Sequence, residues 1–212
     1  MTAQELQDYL RSLNGGWMNL EKTVDTFKAG DPSTEITGIA VGWMSYHWAL
    51  IKARQLDCNV FVTHEPTFYD HRDGDPAYLE LEKVKEKKQF IDESGLVIIR
   101  CHDLWDQYPG IGIPDSWATF LGLSDPLVTD GYFRVYDMHG TMAQEIARKV
   151  ADRTKVLGQM SVQVFGPFTK KVTRLALGTG AITPYLRFIT EYQADMALCT
   201  DDGIHAWQSG AL

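Results

Sequence analysis

Short apolar runs alternate along this chain with longer segments of helical period, and that alternation most narrows the folds open to it. The runs Glu35–Trp43, Asn59–Thr63, Leu96–Arg100, Tyr132–Asp137, Gln159–Phe165, Val172–Leu177 and Asp195–Cys199 read as strands. The segments Thr2–Leu13, Tyr46–Leu56, Pro76–Glu93, Thr141–Arg153 and Thr183–Tyr192 read as helices. Thr2-Ala-Gln-Glu5 fits a capping box, Ser45 and Thr141 stand where caps belong, and Gly95 is placed to stop the third helix. Strands alternating with helices predict an α/β fold with mixed, largely parallel sheets. The segment Leu123-Ser-Asp-Pro126 is the best boundary, dividing the chain into halves 1–126 and 127–212.

Composition removes several function classes. The formal net charge is −8 with neither a basic stripe nor a basic tail, which argues against nucleic acid and anionic membranes as partners. The charged run Glu80–Lys88 alternates sign at helical spacing and reads as a solvated helix face. Cys58, Cys101 and Cys199 form no CxxC pair, which points to reduced thiols. The opening MTAQELQDYLRSL does not read as a signal peptide, and no apolar run approaches membrane-spanning length. A cytoplasmic setting is the expectation.

The ligand-type residues share an address. His64, His102 and His205 each follow the carboxyl end of an expected strand, where α/β sheets build their ligand sites. Each brings acids: Glu65 beside His64, Asp103 and Asp106 after His102, Asp201 and Asp202 before His205. Imidazole with carboxylate suits zinc, manganese, iron or cobalt. Of the other histidines, His47 reads as structural, His139 as a turn, and His71 as a loop residue near His64. Trp105 and Tyr108 lie in the irregular stretch Cys101–Trp117 beside His102. Gly178-Thr179-Gly180 is a short Gly-rich turn able to seat a phosphate, though a tight strand-to-helix turn explains it as well. There is no P-loop and no GxSxG elbow.

Four segments in order resemble a known family. They are Val62-Thr-His64-Glu65-Pro66, His102-Asp-Leu-Trp-Asp106, the Gly178–Gly180 turn, and Gln193-Ala-Asp195 running on to His205. They resemble the dinuclear-metal-centre family related to the NGG1-interacting factor, the type 2 homologues of GTP cyclohydrolase I. The resemblance implies two similar α/β halves around a central cleft, two metal ions in that cleft, and a hexameric ring. It also implies His64 and Asp106 as metal ligands, with Glu65 standing where the family has a second histidine. The family's closing Gly-His and Glu would fall beyond Leu212, so the natural chain is expected to continue.

Together these readings describe a metal-dependent, hydrolase-like protein with ligands His64, Glu65 and Asp106. His102 and His205 would serve as acid/base groups, and Gly178, Thr179 and Gly180 would bind a small phosphorylated or nucleotide-like substrate. The alternative is a non-catalytic metal-binding ring acting as scaffold, metal chaperone or regulatory partner.

Overall fold

The computed structural model describes residues 1–68, 70–180 and 185–199. They fall into two compact units, one reaching from Met1 to Asp106 and the other beginning at Gln107. The junction lies ahead of Leu123–Pro126, where the sequence suggests a break. The reason is packing: Ala118 and Leu121 of the intervening helix bury against Tyr136 and Leu177 of the second sheet.

In the first unit, β1 (Phe27–Ala29), β2 (Ile39–Gly42), β3 (Val60–Thr63) and β4 (Val97–Arg100) form a sheet in the order β1-β4-β3-β2. β2, β3 and β4 are parallel and β1 is antiparallel to β4. The central strands VFVT and VIIR are apolar on both faces, as strands covered on both sides must be. Val60, Val97 and Ile99 bury with Ala3 of α1 (Ala3–Ser12). Phe61 and Ile98, one residue out of phase, bury with Leu50 of α2 (His47–Gln55) and with Val84 and Ile91 of α4 (Glu82–Ser94). The capping box forms at the start of α1, with Glu5 N–H donating to Thr2 Oγ1 at 3.2 Å and Thr2 N–H to Glu5 Oε2 at 2.8 Å. Gly95 ends α4 in the left-handed region at φ 65°.

The register decides where the chemistry collects. Gly42 pairs with Thr63, and Thr63 pairs with Arg100. Three parallel strands therefore end level, and Trp43, His64 and Cys101-His102 emerge side by side.

The second unit holds β5 (Val128–Asp130), β6 (Phe133–Met142), β7 (Lys171–Gly178) and β8 (Met196–Cys199), in that order across the sheet. Only β7 and β8 run parallel, so this sheet is mixed but mostly antiparallel. α6 (Ile113–Leu121) and α7 (Ala143–Thr154) cover one face through Leu121, Val150 and Ile146. Phe188 of α8 (Tyr185–Thr190) packs on Val135 and Ala176 of the other face.

Several expectations are corrected. Residues 159–165 form no strand, and Phe165 is 90% exposed. The Pro76–Glu93 helix is broken into α3 (Pro76–Leu79) and α4. The irregular stretch contains two helices, α5 (Asp103–Gln107) and α6. Ser45 caps nothing; its buried hydroxyl bonds that of Thr67 at 3.1 Å. The Glu80–Lys88 run is not wholly solvated, because Lys87 is fully buried and donates to Thr67 O at 2.8 Å. His139 sits at φ 52° in the bulge that interrupts β6, the turn that its following glycine suggests.

Candidate metal centre

His64 and Glu65 stand on the turn that leaves β3. Their backbone N–H groups return to Trp43 O at 3.2 and 2.9 Å, so the turn is tied to the end of β2. The His64 ring is sandwiched in a stack. Trp43 lies 4.4 Å away on one side and His102 4.4 Å away on the other, at interplanar angles of 18° and 26°. His71 meets His102 edge-on at 5.5 Å.

His102 and Asp106 are brought together by a helix one turn long. α5 starts directly after β4, and Asp106 N–H donates to His102 O at 2.9 Å, which sets the two side chains on one face. Asp106 then reaches both histidines, with Oδ1 3.4 Å from His64 Nε2 and Oδ2 3.4 Å from His102 Nδ1. Asp103 fixes the ring of His102 through a 2.9 Å contact to Nδ1. An imidazole whose Nδ1 proton is held by a carboxylate presents its lone pair at Nε2.

Burial, and then the His102 charge, push His64 down to about 3, so its ring is neutral and able to ligate. Burial raises Asp106 to about 7, even with the His102 charge opposing. His102 is raised: burial disfavours its charge, but the Asp103 hydrogen bond and the Asp106 charge outweigh burial. A buried neutral imidazole at His64 facing a buried carboxylate that resists ionisation is the kind of donor pair a divalent cation satisfies. His64, Glu65 and His102 each offer a ligand atom, all within 4.8 Å of one another. The donor set therefore fits a metal ion.

A buried polar frame holds this arrangement. Arg100 has no exposed surface; it donates to His64 O at 2.9 Å and to His71 O, and its Nη2 lies 3.4 Å from Glu65 Oε2. Asp73 accepts the N–H groups of Thr67 and Phe68 and pairs with Lys28 at 3.6 Å. Residues 64–68 and 70–73, which have no regular secondary structure, are thus tied to Arg100 and Asp73. Asp25 accepts N–H groups from His102, Asp103 and Leu104 at 2.7, 2.9 and 2.9 Å and so caps α5 from a distant loop. Thr23 Oγ1 donates to Asp103 Oδ2 at 2.8 Å.

The residues named from sequence fall as follows. His64, Glu65 and Asp106, taken there as ligands, stand together. His102, taken there as acid/base, lies inside the ligand-capable group rather than beside it. His205, Asp201 and Asp202 lie outside the described residues. Gly178–Gly180 ends β7 in the second unit, with Thr179 buried and Gly180 at φ 91°. Sequence reading missed Asp25 and Arg100. Arg100 did carry a signal, a charged residue closing the apolar run LVII, whereas nothing local distinguishes Asp25.

A family model described as Duf34/NIF3 (NGG1p interacting factor 3) matches residues 1–211. Among curated proteins, none matches the sequence. Solved structures that share the fold include the following three. "Structural genomics, protein ybgI, unknown function" is 16% identical at TM-score 0.75, covering 100% of this chain and 82% of that one. A Bacillus cereus protein related to NIF3 is 12% identical at TM-score 0.72, covering 99% of this chain and 85% of that one. Reduced HcgD from Methanocaldococcus jannaschii is 18% identical at TM-score 0.67, covering 100% and 82%.

Proposed function

This chain belongs to the Duf34/NIF3 family, and from that premise we propose that it is a metal-dependent, hydrolase-like protein acting on a small phosphorylated or nucleotide-like substrate. The observation that carries the reading is the His64–Glu65–His102 group, three ligand atoms within 4.8 Å at the level ends of the parallel strands β3 and β4. His64, Glu65 and Asp106 would hold a zinc, manganese, iron or cobalt ion, with His102 close enough to join them. A divalent ion held there supplies a water of lowered pKa as nucleophile near neutral pH. Asp103 holds the proton on His102 Nδ1, and Trp43 covers one face of His64. The Gly178–Thr179–Gly180 turn is proposed separately as a phosphate seat, on the strength of its strand-end position.

The test is elemental analysis of untagged wild type and Asp106→Asn, purified without chelators. Transition metal in the wild type and its loss in the variant would justify a screen of phosphorylated substrates. No metal in either would end the reading.

A further inference from the structure

Helix α1 meets the loop that caps α5 across a small cavity. Its volume is about 10 Å³, and Gln7, Leu10, Arg11, Asp25, Arg100 and Leu104 help to line it. A cavity holds a water once it offers roughly 10–15 Å³ of such space, so this one has room for a single water molecule.

Two of the lining side chains are short of partners. Gln7 is 3% exposed, and its Nε2 donates to Asp25 O at 2.9 Å. A carbonyl can only accept, so the orientation of the amide is fixed and Oε1 is the end turned elsewhere. Gln7 Oε1 is buried and has no hydrogen-bond partner among the described residues, and the same is true of Arg11 Nε. Both side chains belong to α1, one helical turn apart, and so lie on the same face of it. A fold that strands either atom away from water carries the full cost of its desolvation.

The two atoms are complementary, one an acceptor and the other a donor. A cation in the cavity would face the charges of Arg11 and Arg100. An anion would face Gln7 Oε1, which has no proton to offer. The guest that satisfies both is neutral, small, and able to donate and accept at once. Those are the properties of water.

We propose that this cavity binds one structural water, which donates to Gln7 Oε1, accepts from Arg11 Nε, and so completes the contact of α1 with the Asp25 loop. That loop holds the first turn of α5 through the Asp25 carboxylate. The inference stands apart from the metal-binding reading and survives its failure.

The experiment is a high-resolution crystal structure of the intact 212-residue protein and of Arg11→Met, with thermal denaturation of both. The wild type is expected to show one ordered water within hydrogen-bonding distance of Gln7 Oε1 and Arg11 Nε. Arg11→Met keeps an unbranched stem but removes the donor. It is expected to lose the water and to melt about 2–4 °C lower, the ordinary shift when a chain of this length gives up one buried polar contact. A dry cavity in the wild type, or Gln7 and Arg11 turned to meet each other, would overturn the inference. So would a water that stays in Arg11→Met with the melting temperature unchanged. Should the variant fail to fold, the wild-type density still decides.

Discussion

Asp25 and His102 are 77 positions apart, yet the Asp25 carboxylate accepts the His102 backbone N–H at 2.7 Å. The same carboxylate takes the next two N–H groups, so the first turn of α5 is capped by a loop from the start of the chain. Thr23 and the Val24 N–H answer by binding Asp103 of that turn. The lock is reciprocal, and what it holds still is the helix that presents His102 and Asp106. Structure at the N-terminal loop thereby becomes geometry at the metal centre.

Asp25→Ala removes the acceptor for three backbone donors. A lost cap costs about 0.5–2 kcal/mol, and the donors stranded by burial place this one toward the upper end. The variant should melt at lower temperature and bind metal at least tenfold more weakly, as thermal denaturation and zinc titration would show. Unchanged affinity would mean that α5 holds its place without the cap.

Asp103→Asn separates orientation from stability. The amide keeps the size and can still accept from Thr23, but it loses the charge that holds the His102 proton at Nδ1. Partners of a metal-bound histidine typically contribute 10–100-fold to affinity. Zinc affinity should fall within that range while the melting temperature moves little. A large fall in melting temperature with intact affinity would assign Asp103 to the fold instead.

The parts of this molecule that follow local rules are those readable in the sequence. His64 and His102 were placed because a strand end is marked by the halt of an apolar run, and level ends in a parallel sheet bring distant residues together. Residues 159–165 have strand-like composition but pair with no strand among the described residues, and a strand exists only by pairing. The helices α5 and α6 were hidden by Pro109, Gly110, Gly112 and Pro114, which read as a loop although Pro114 in fact stands in the first turn of α6. Lys87 shows the limit most sharply. Its charge pattern matches its exposed neighbours, and its bond to the carbonyl of Thr67, 20 positions away, is invisible in the sequence.

Lys87 also makes the stability of the fold depend on alkaline pH. Burial lowers its pKa to about 8 against a normal 10.5, with the Asp73 charge opposing only in part. Between these values the unfolded chain binds more protons than the native one, so native stability rises with pH across that window. Below about pH 8 both states are protonated and the cost of burying the cation is felt in full. Denaturant unfolding of wild type and Lys87→Met at pH 7.5 and pH 10 isolates the effect. Wild type should gain on the variant by about 1.4 kcal/mol per pH unit at most. A difference that stays flat with pH would mean that Lys87 titrates normally.

The ring that the family resemblance implies would place a demand on the edge of the first sheet. Among the described residues β2 has β3 on one side only, and Ile39, Val41 and Trp43 are 43%, 78% and 55% exposed. Alternate residues share a strand face, so these three line up on one side of a strand that is an edge among the described residues. Such an edge is aggregation-prone unless something covers it, and a second copy of the chain would do so. Light scattering should give wild type a mass of six times 23.9 kDa. Val41→Glu sets a charge in the middle of the stripe, at a site too exposed to disturb the core. It should shift the protein to smaller species while leaving its circular dichroism unchanged. If the variant keeps the wild-type mass, the ring closes through another surface; if wild type is monomeric, the ring itself is refuted.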